Sequence, residues 1–140
     1  MAYETFEHEA DIGIMGKASS VEEAFEEAAK ALFDVEIDVA KVKAKKKVRI
    51  ECNAENIEEL FIEWLNALLS QASLHEMVFS KFRVKMEKTG EKKFELRGEA
   101  FGEKLRKEHN IKDEVKGATY SQLKVKKEKG LWVAQCIVDV

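Results

Sequence analysis

The chain has 140 residues, 45% of them hydrophobic, and carries 24 Lys and Arg against 27 Asp and Glu for a net charge of -3. One domain of that length, residues 1–140, buries about two-thirds of its unfolded surface, so it needs neither disulfide nor metal to fold and any metal it holds serves function. The charge balance excludes attraction to nucleic acid or membrane over the whole surface, and no run approaches the ~18 apolar residues of a membrane span.

Phe6-Glu7-His8-Glu9-Ala10-Asp11-Ile12-Gly13 sets four ionisable side chains among apolar ones just before the first helix. A carboxylate among Phe6, Ala10, Ile12 and Ile14 is expected to be partly desolvated, and then needs a proton, a cationic partner or a metal. For Asp11 the reading is a metal, set against a solvated loop that merely precedes a capped helix. Ile12 and Ile14 with Gly13 and Gly16 read as a short strand ending in a turn. Ser20 and Glu23 have capping-box spacing, and Val21, Ala24, Phe25, Ala28, Ala29, Leu32 and Phe33 form one apolar helical stripe. After an acidic stretch from Asp34 to Asp38 the sign reverses at Lys41 through Arg49, where charge alternates with Val48, Ile50 and Cys52 as in a half-buried strand.

A second helix begins near Asn53 or Asn56 and runs on Ile57, Leu60, Phe61, Trp64, Leu65, Leu68, Leu69 and Ala72, a stripe wide enough for a central, buried helix. Val78, Phe82, Val84 and Met86 then alternate with Lys81, Arg83 and Lys85. A turn is expected at Thr89-Gly90, and Phe94, Leu96, Gly98 and Ala100 alternate in the returning strand. Residues 104–113 are polar and read as a mobile loop. Val115 to Val125 and Leu131 to Val138 predict a last hairpin about Glu128-Lys129-Gly130. This order of elements predicts an α+β single domain, a largely antiparallel β-sheet with two main helices packed on one side of it.

Asp139 falls one residue from the end, followed by the carboxylate of Val140. Adjacent carboxylates repel unless a cation lies between them, and if the last strand runs beside the first, Asp11 joins them in an all-oxygen site. Such donors suit Ca²⁺, Mg²⁺ or Mn²⁺, completed by water, rather than zinc. The bland alternative is a frayed terminus with Asp139 solvated. His8 could ligate or orient Asp11, or be a surface histidine. Tyr120 could offer a hydroxyl or simply pack. His75 and His109 have no partner at metal-ligand spacing, which argues against zinc hydrolysis. Cys52 and Cys136 lie on the apolar parity of their strands and read as core thiols in a reducing compartment. With no signal-peptide pattern at Met1-Ala2-Tyr3-Glu4, a cytoplasmic protein is expected. The lysines at 41–49 and 124–129 lack interleaved exposed aromatics for stacking bases and read as solvated faces that protect strand edges, with weak phosphate contact as the alternative.

Glu7-His8-Glu9-Ala10-Asp11 resembles the opening motif of the archease family. Glu63-Trp64-Leu65-Asn66, Lys116-Gly117-Ala118-Thr119-Tyr120 and the ending at Asp139 follow in the family's order. Glu9 stands where the family usually has Thr, and Gly117 where it usually has Ala. The resemblance implies an archease-like fold and an accessory protein of the RtcB-type RNA ligase that joins tRNA halves, promoting guanylylation and multiple turnover of that ligase without being catalytic itself. It implies association with tRNA only through the ligase, a divalent metal site on Asp11, Asp139 and Val140, and a functional lysine at Lys116, which alternation alone would leave as an ordinary exposed side chain. Two other classes compete: a metal-dependent phosphoesterase using the same carboxylates with His8 as acid or base, and an RNA-binding or chaperone-like module working through the lysine surface.

Overall fold

The chain opens with a hairpin where the sequence shows only one strand. β1 (Ala2–His8) pairs antiparallel with β2 (Asp11–Ala18) from Ala2↔Lys17 to His8↔Asp11. Strand β1 has little alternation to read, because only Tyr3 and Phe6 of its first residues are even half-buried; it is an edge strand held by its Tyr, Thr and Phe. The computed structural model describes residues 1–8 and 11–140, the side chains of Glu7 and His8 excepted.

Helix α1 (Val21–Glu36) starts where its cap predicts: Ser20 Oγ accepts the Glu23 N–H at 3.1 Å. The Glu23 carboxylate takes the hydroxyls of Ser19 and Ser20 at 3.4 Å, so only half of the capping box forms. β3 (Lys46–Ala54) leads to α2 (Ile57–His75), capped by Asn56, whose Oδ1 accepts the Glu59 N–H at 2.9 Å. The hairpin of β4 (Met77–Gly90) and β5 (Lys93–Lys104) turns at Glu91-Lys92, not at Thr89-Gly90, because β4 carries a bulge between Lys88 and Gly90 and Gly90 still pairs with Lys93. The last region also departs from a plain hairpin. β6 (Gly117–Ala118) and β7 (Lys124–Glu128) both pair with β8 (Leu131–Asp139), separated by a turn in which Gln122 takes a left-handed φ of 51°. The alternation between Val115 and Val125 therefore does not carry through.

Eight strands and two helices make an α+β domain, and every pairing among the described residues is antiparallel. The strands form two sheets rather than one: β1-β2-β8-β6, with β7 also on β8, and β3-β5-β4. Helix α1 touches β2 and β8 of the first sheet and β4 of the second, while α2 touches all strands of the small sheet and also β6 and β7. The helices thus contact both sheets instead of covering one face of one. Their apolar stripes merge in a core where Trp64 is fully buried and its Nε1–H donates to Phe25 O at 3.1 Å, tying α2 to α1. Trp64 also decides Gly98 of β5, where a Cβ would stand 2.5 Å from the indole.

Residues 104–113, read as a mobile loop, are anchored. His109 is 3% exposed in a 3₁₀ turn (Lys107–His109). Its Nδ1 accepts the Arg106 N–H at 2.9 Å, which leaves Nε2 to donate to Glu103 at 3.2 Å. Further on, Lys112 N–H donates to Glu36 O at 2.6 Å and Val115 N–H to the Glu36 carboxylate at 3.1 Å.

Candidate functional site

The pairing of β2 with β8 runs from Ala18↔Trp132 to Ile12↔Val138. One step further along the two strands stand Asp11 and Asp139, so the first residue of β2 and the last of β8 close the same end of the large sheet. Strand β6 joins them there. Gly117 pairs with Asp139, and Lys116 N–H donates to Asp139 O at 2.7 Å. The backbone of Asp139 is therefore held while its side chain is exposed, and the side chain of Val140 packs, half-buried, against the core. This is not a frayed end. Asp11 is half-buried, as its apolar neighbours predict.

Two local details fix this end. Phe6 of β1 stands opposite Gly13 of β2 in register, and its ring occupies the space a Cβ at Gly13 would need. A side chain at position 13 would push β1 away from the strand that carries Asp11. On the other side Asn66 of α2 accepts the Ala118 N–H on its Oδ1 at 2.9 Å. The helix thus pins β6, and with it Lys116, beside Asp139. Asn66 stands in Glu63-Trp64-Leu65-Asn66, yet sequence reasoning gave it no task. Its signal was a polar, half-buried residue on the margin of an apolar stripe.

Of the other predicted residues, Lys116 is exposed, as is Tyr120 at 65%, in the turn beyond β6. Strand β6 ends at Ala118, and the Tyr120 ring beyond it does not pack. His8 ends β1 opposite Asp11 in register; its side chain, and Glu9 altogether, lie outside the described residues. Both cysteines are core thiols: Cys136 is fully buried, Cys52 half-buried, and burial pushes each thiol up to about 12.

Asp11 and Asp139 offer hard oxygen donors from neighbouring strand ends, the donor type that suits an oxygen-loving divalent ion with water in most of its shell. No group of three or more His, Cys, Asp or Glu side chains gathers among the described residues. Among the described residues, a site here would join the carboxylate of Val140 to the two aspartates.

The molecule is thus a small α+β domain whose first hairpin and last strand bring two carboxylates to one end, braced by a helix asparagine. The chain belongs to the archease family: the model of the Archease protein family (MTH1598/TM1083) matches residues 3–140. It is 45% identical over 140 residues to a protein archease of Pyrococcus abyssi, covering 99% of this chain and 98% of the relative. A protein archease of Methanosarcina mazei is 38% identical over 139 residues, 99% of this chain and 95% of the relative. Among solved structures, the solution structure of Methanobacterium thermoautotrophicum protein 1598 superposes with a TM-score of 0.87 at 34% identity, covering 99% of both chains. The crystal structure of an archease, described as a possible chaperone, from Thermotoga maritima shares the fold at a TM-score of 0.59 and 19% identity, over 98% of this chain and 96% of that one. No helix among the described residues is long and apolar enough to cross a membrane.

Proposed function

We propose that this archease acts as an accessory protein of an RtcB-type RNA ligase, restoring its guanylylation and multiple turnover with the help of a divalent ion held by Asp11, Asp139 and the Val140 carboxylate. The observation that supports this reading is the register of β2 with β8, which ends at Ile12↔Val138 and brings both aspartates to one end of the sheet. Held there by Asp11, Asp139 and the Val140 carboxylate, such an ion would supply positive charge to offset that of phosphate groups in nucleotidyl transfer. Lys116, exposed beside Asp139, adds a positive charge at the same end. The chain itself is proposed to perform no reaction. The phosphoesterase alternative asks for more side-chain ligands than the described residues gather.

The test pairs two readouts. Asp11→Asn and Asp139→Asn should each weaken Mn²⁺ binding in calorimetry by about tenfold or more, as losing one of few ligands does, and should reduce multiple-turnover ligation by an RtcB-type ligase at limiting metal. Unchanged turnover with both variants would sink the proposal.

A further inference from the structure

Only four of the 24 basic residues are arginines, and three of them, Arg49, Arg83 and Arg97, lie on one surface: the outer face of the small sheet, turned away from the helices. Arg49 and Arg83 flank Glu99 across the strands; Arg97 stands between Glu51 and Lys85. All three arginines are exposed and line an open cleft of about 860 Å³. Among the described residues none of them, nor Lys81 or Lys85, has a carboxylate within 4.0 Å, although Glu99 pairs with Lys47 at 3.2 Å and Glu95 with Lys93 at 3.9 Å. Five cations without a partner therefore face two carboxylates without one, Glu51 and Glu87.

The face also carries the aromatic that the lysine runs lack. Phe101, half-buried on β5, pairs in register with Lys47 and Lys81, and the Arg83 guanidinium and Lys81 ammonium lie over its ring, 5.3 and 5.5 Å from the centroid. A planar guanidinium beside a ring is a stacking platform, and arginine forks take phosphate oxygens two at a time, which lysines do not. Charge, aromatic and an open cleft on the sheet together match the way unpaired strands are bound, with bases on aromatic and guanidinium planes and phosphates along a basic groove. The carboxylates among the cations discriminate further. They repel bare phosphate but accept hydrogen bonds from a 2′-hydroxyl, which RNA has and DNA lacks.

We propose that the outer face of the three-stranded sheet binds single-stranded RNA, with Arg49, Arg97 and Lys85 on phosphates and a base stacked at Arg83 and Phe101. This surface is separate from the metal end of the large sheet and acts with no ligase present, so its failure leaves the accessory reading untouched and the reverse is equally true.

The test is fluorescence anisotropy of the full chain with a labelled single-stranded RNA of about 12 nucleotides, within the usual site size of such surfaces, repeated across a salt series. Binding is expected to be saturable and to weaken steeply with salt. The exposed pair Arg83→Glu and Arg97→Glu should cost more than about tenfold, the single Arg97→Gln less, and Phe101→Leu should weaken binding without changing the salt slope. Lys127→Glu, on the β7–β8 hairpin, should leave it unchanged. Circular dichroism establishes that each variant is folded. The proposal is overturned if the arginine variants bind as the parent does, if Lys127→Glu weakens binding as much as they do, if matched DNA, duplex RNA or polyphosphate binds as tightly as the single strand, or if an acidic peptide or anionic vesicles compete equally.

Discussion

The two sheets share a core and two helices but make their charged surfaces by opposite routes. The proposed metal end of the large sheet draws Asp11 from the first hairpin, Asp139 from the last strand and Lys116 from between, so it exists only once the ends of the chain have paired. The basic face of the small sheet comes mostly from one local hairpin, β4–β5, with β3 added at its edge. A site assembled from distant parts depends on the whole fold; a face laid out along a hairpin survives most local damage. The largest way to break this contrast is Trp64→Ala. Trp64 lies under Gly98 of the small sheet and bonds α1 through Phe25, so its loss should cost about 3–5 kcal/mol in chemical denaturation, as removal of a buried aromatic does. Near the transition, Mn²⁺ binding should fail before RNA binding.

Asn66→Ala sharpens the same contrast at smaller cost. It leaves the Ala118 N–H without its partner, an effect of about 1–3 kcal/mol for a group shielded from water. The damage should stay at β6: metal binding and ligase activation fall, while RNA retention by the small sheet holds. Equal loss at both surfaces would show that Asn66 supports the fold generally rather than positioning Lys116 and Asp139.

How much of this was readable in the sequence follows the same division. Both helices were legible because Ser20 and Asn56 are caps followed by long apolar stripes, and the β4–β5 hairpin because Val78 through Ala100 alternates. Strand β1 was not, since an exposed edge strand has no alternation to show. Pairing partners were not legible either, so one sheet was expected where two occur. At the site, the suspicion of Asp11 came from an acid in apolar company and that of Asp139 from its neighbour, the Val140 carboxylate, but their closeness rests on the β2–β8 register, which no local pattern encodes. Phe101 escaped notice because its cations come from neighbouring strands and not from its own run. His109 was dismissed for want of a partner at fixed spacing, while its partner Glu103 sits across a turn.

The segment from β5 to β6 joins the two sheets, and it is clasped at each end by a carboxylate of opposite character. At Glu103 the Lys43 N–H, at 2.7 Å, above all, and then His109 and Arg106 hold the carboxyl below the usual range. At Glu36 burial pushes the carboxyl up, only partly offset by the Val115 N–H. The signs follow by linkage. Stability from Glu103 is present above the ordinary carboxylate value and lost as pH falls through its lowered one. The ionised form of Glu36 opposes folding, and that opposition is relieved as pH falls through its raised value. Glu103→Gln should therefore remove part of the loss of stability on acidification, and Glu36→Gln should remove a gain. Urea midpoints measured from neutral pH down into the acid range test both, and parallel profiles for the two variants would refute the assignment.

The smallest expected effect tests why the cations of the small sheet stand unpaired. If Arg97 served the fold, it would do so through an ion pair or through packing. No carboxylate lies within 4.0 Å of it among the described residues, and it is exposed. Removing its charge relieves repulsion from Lys85 and gives up attraction to Glu51, its two neighbours across the strands. Arg97→Gln should then change unfolding free energy by no more than about 0.5 kcal/mol in either direction. A loss well beyond that would mean that the face is maintained by its own charge network. A neutral result together with weakened RNA binding would separate the two uses of charge in this molecule, the one that holds strands together and the one that is kept free for a ligand.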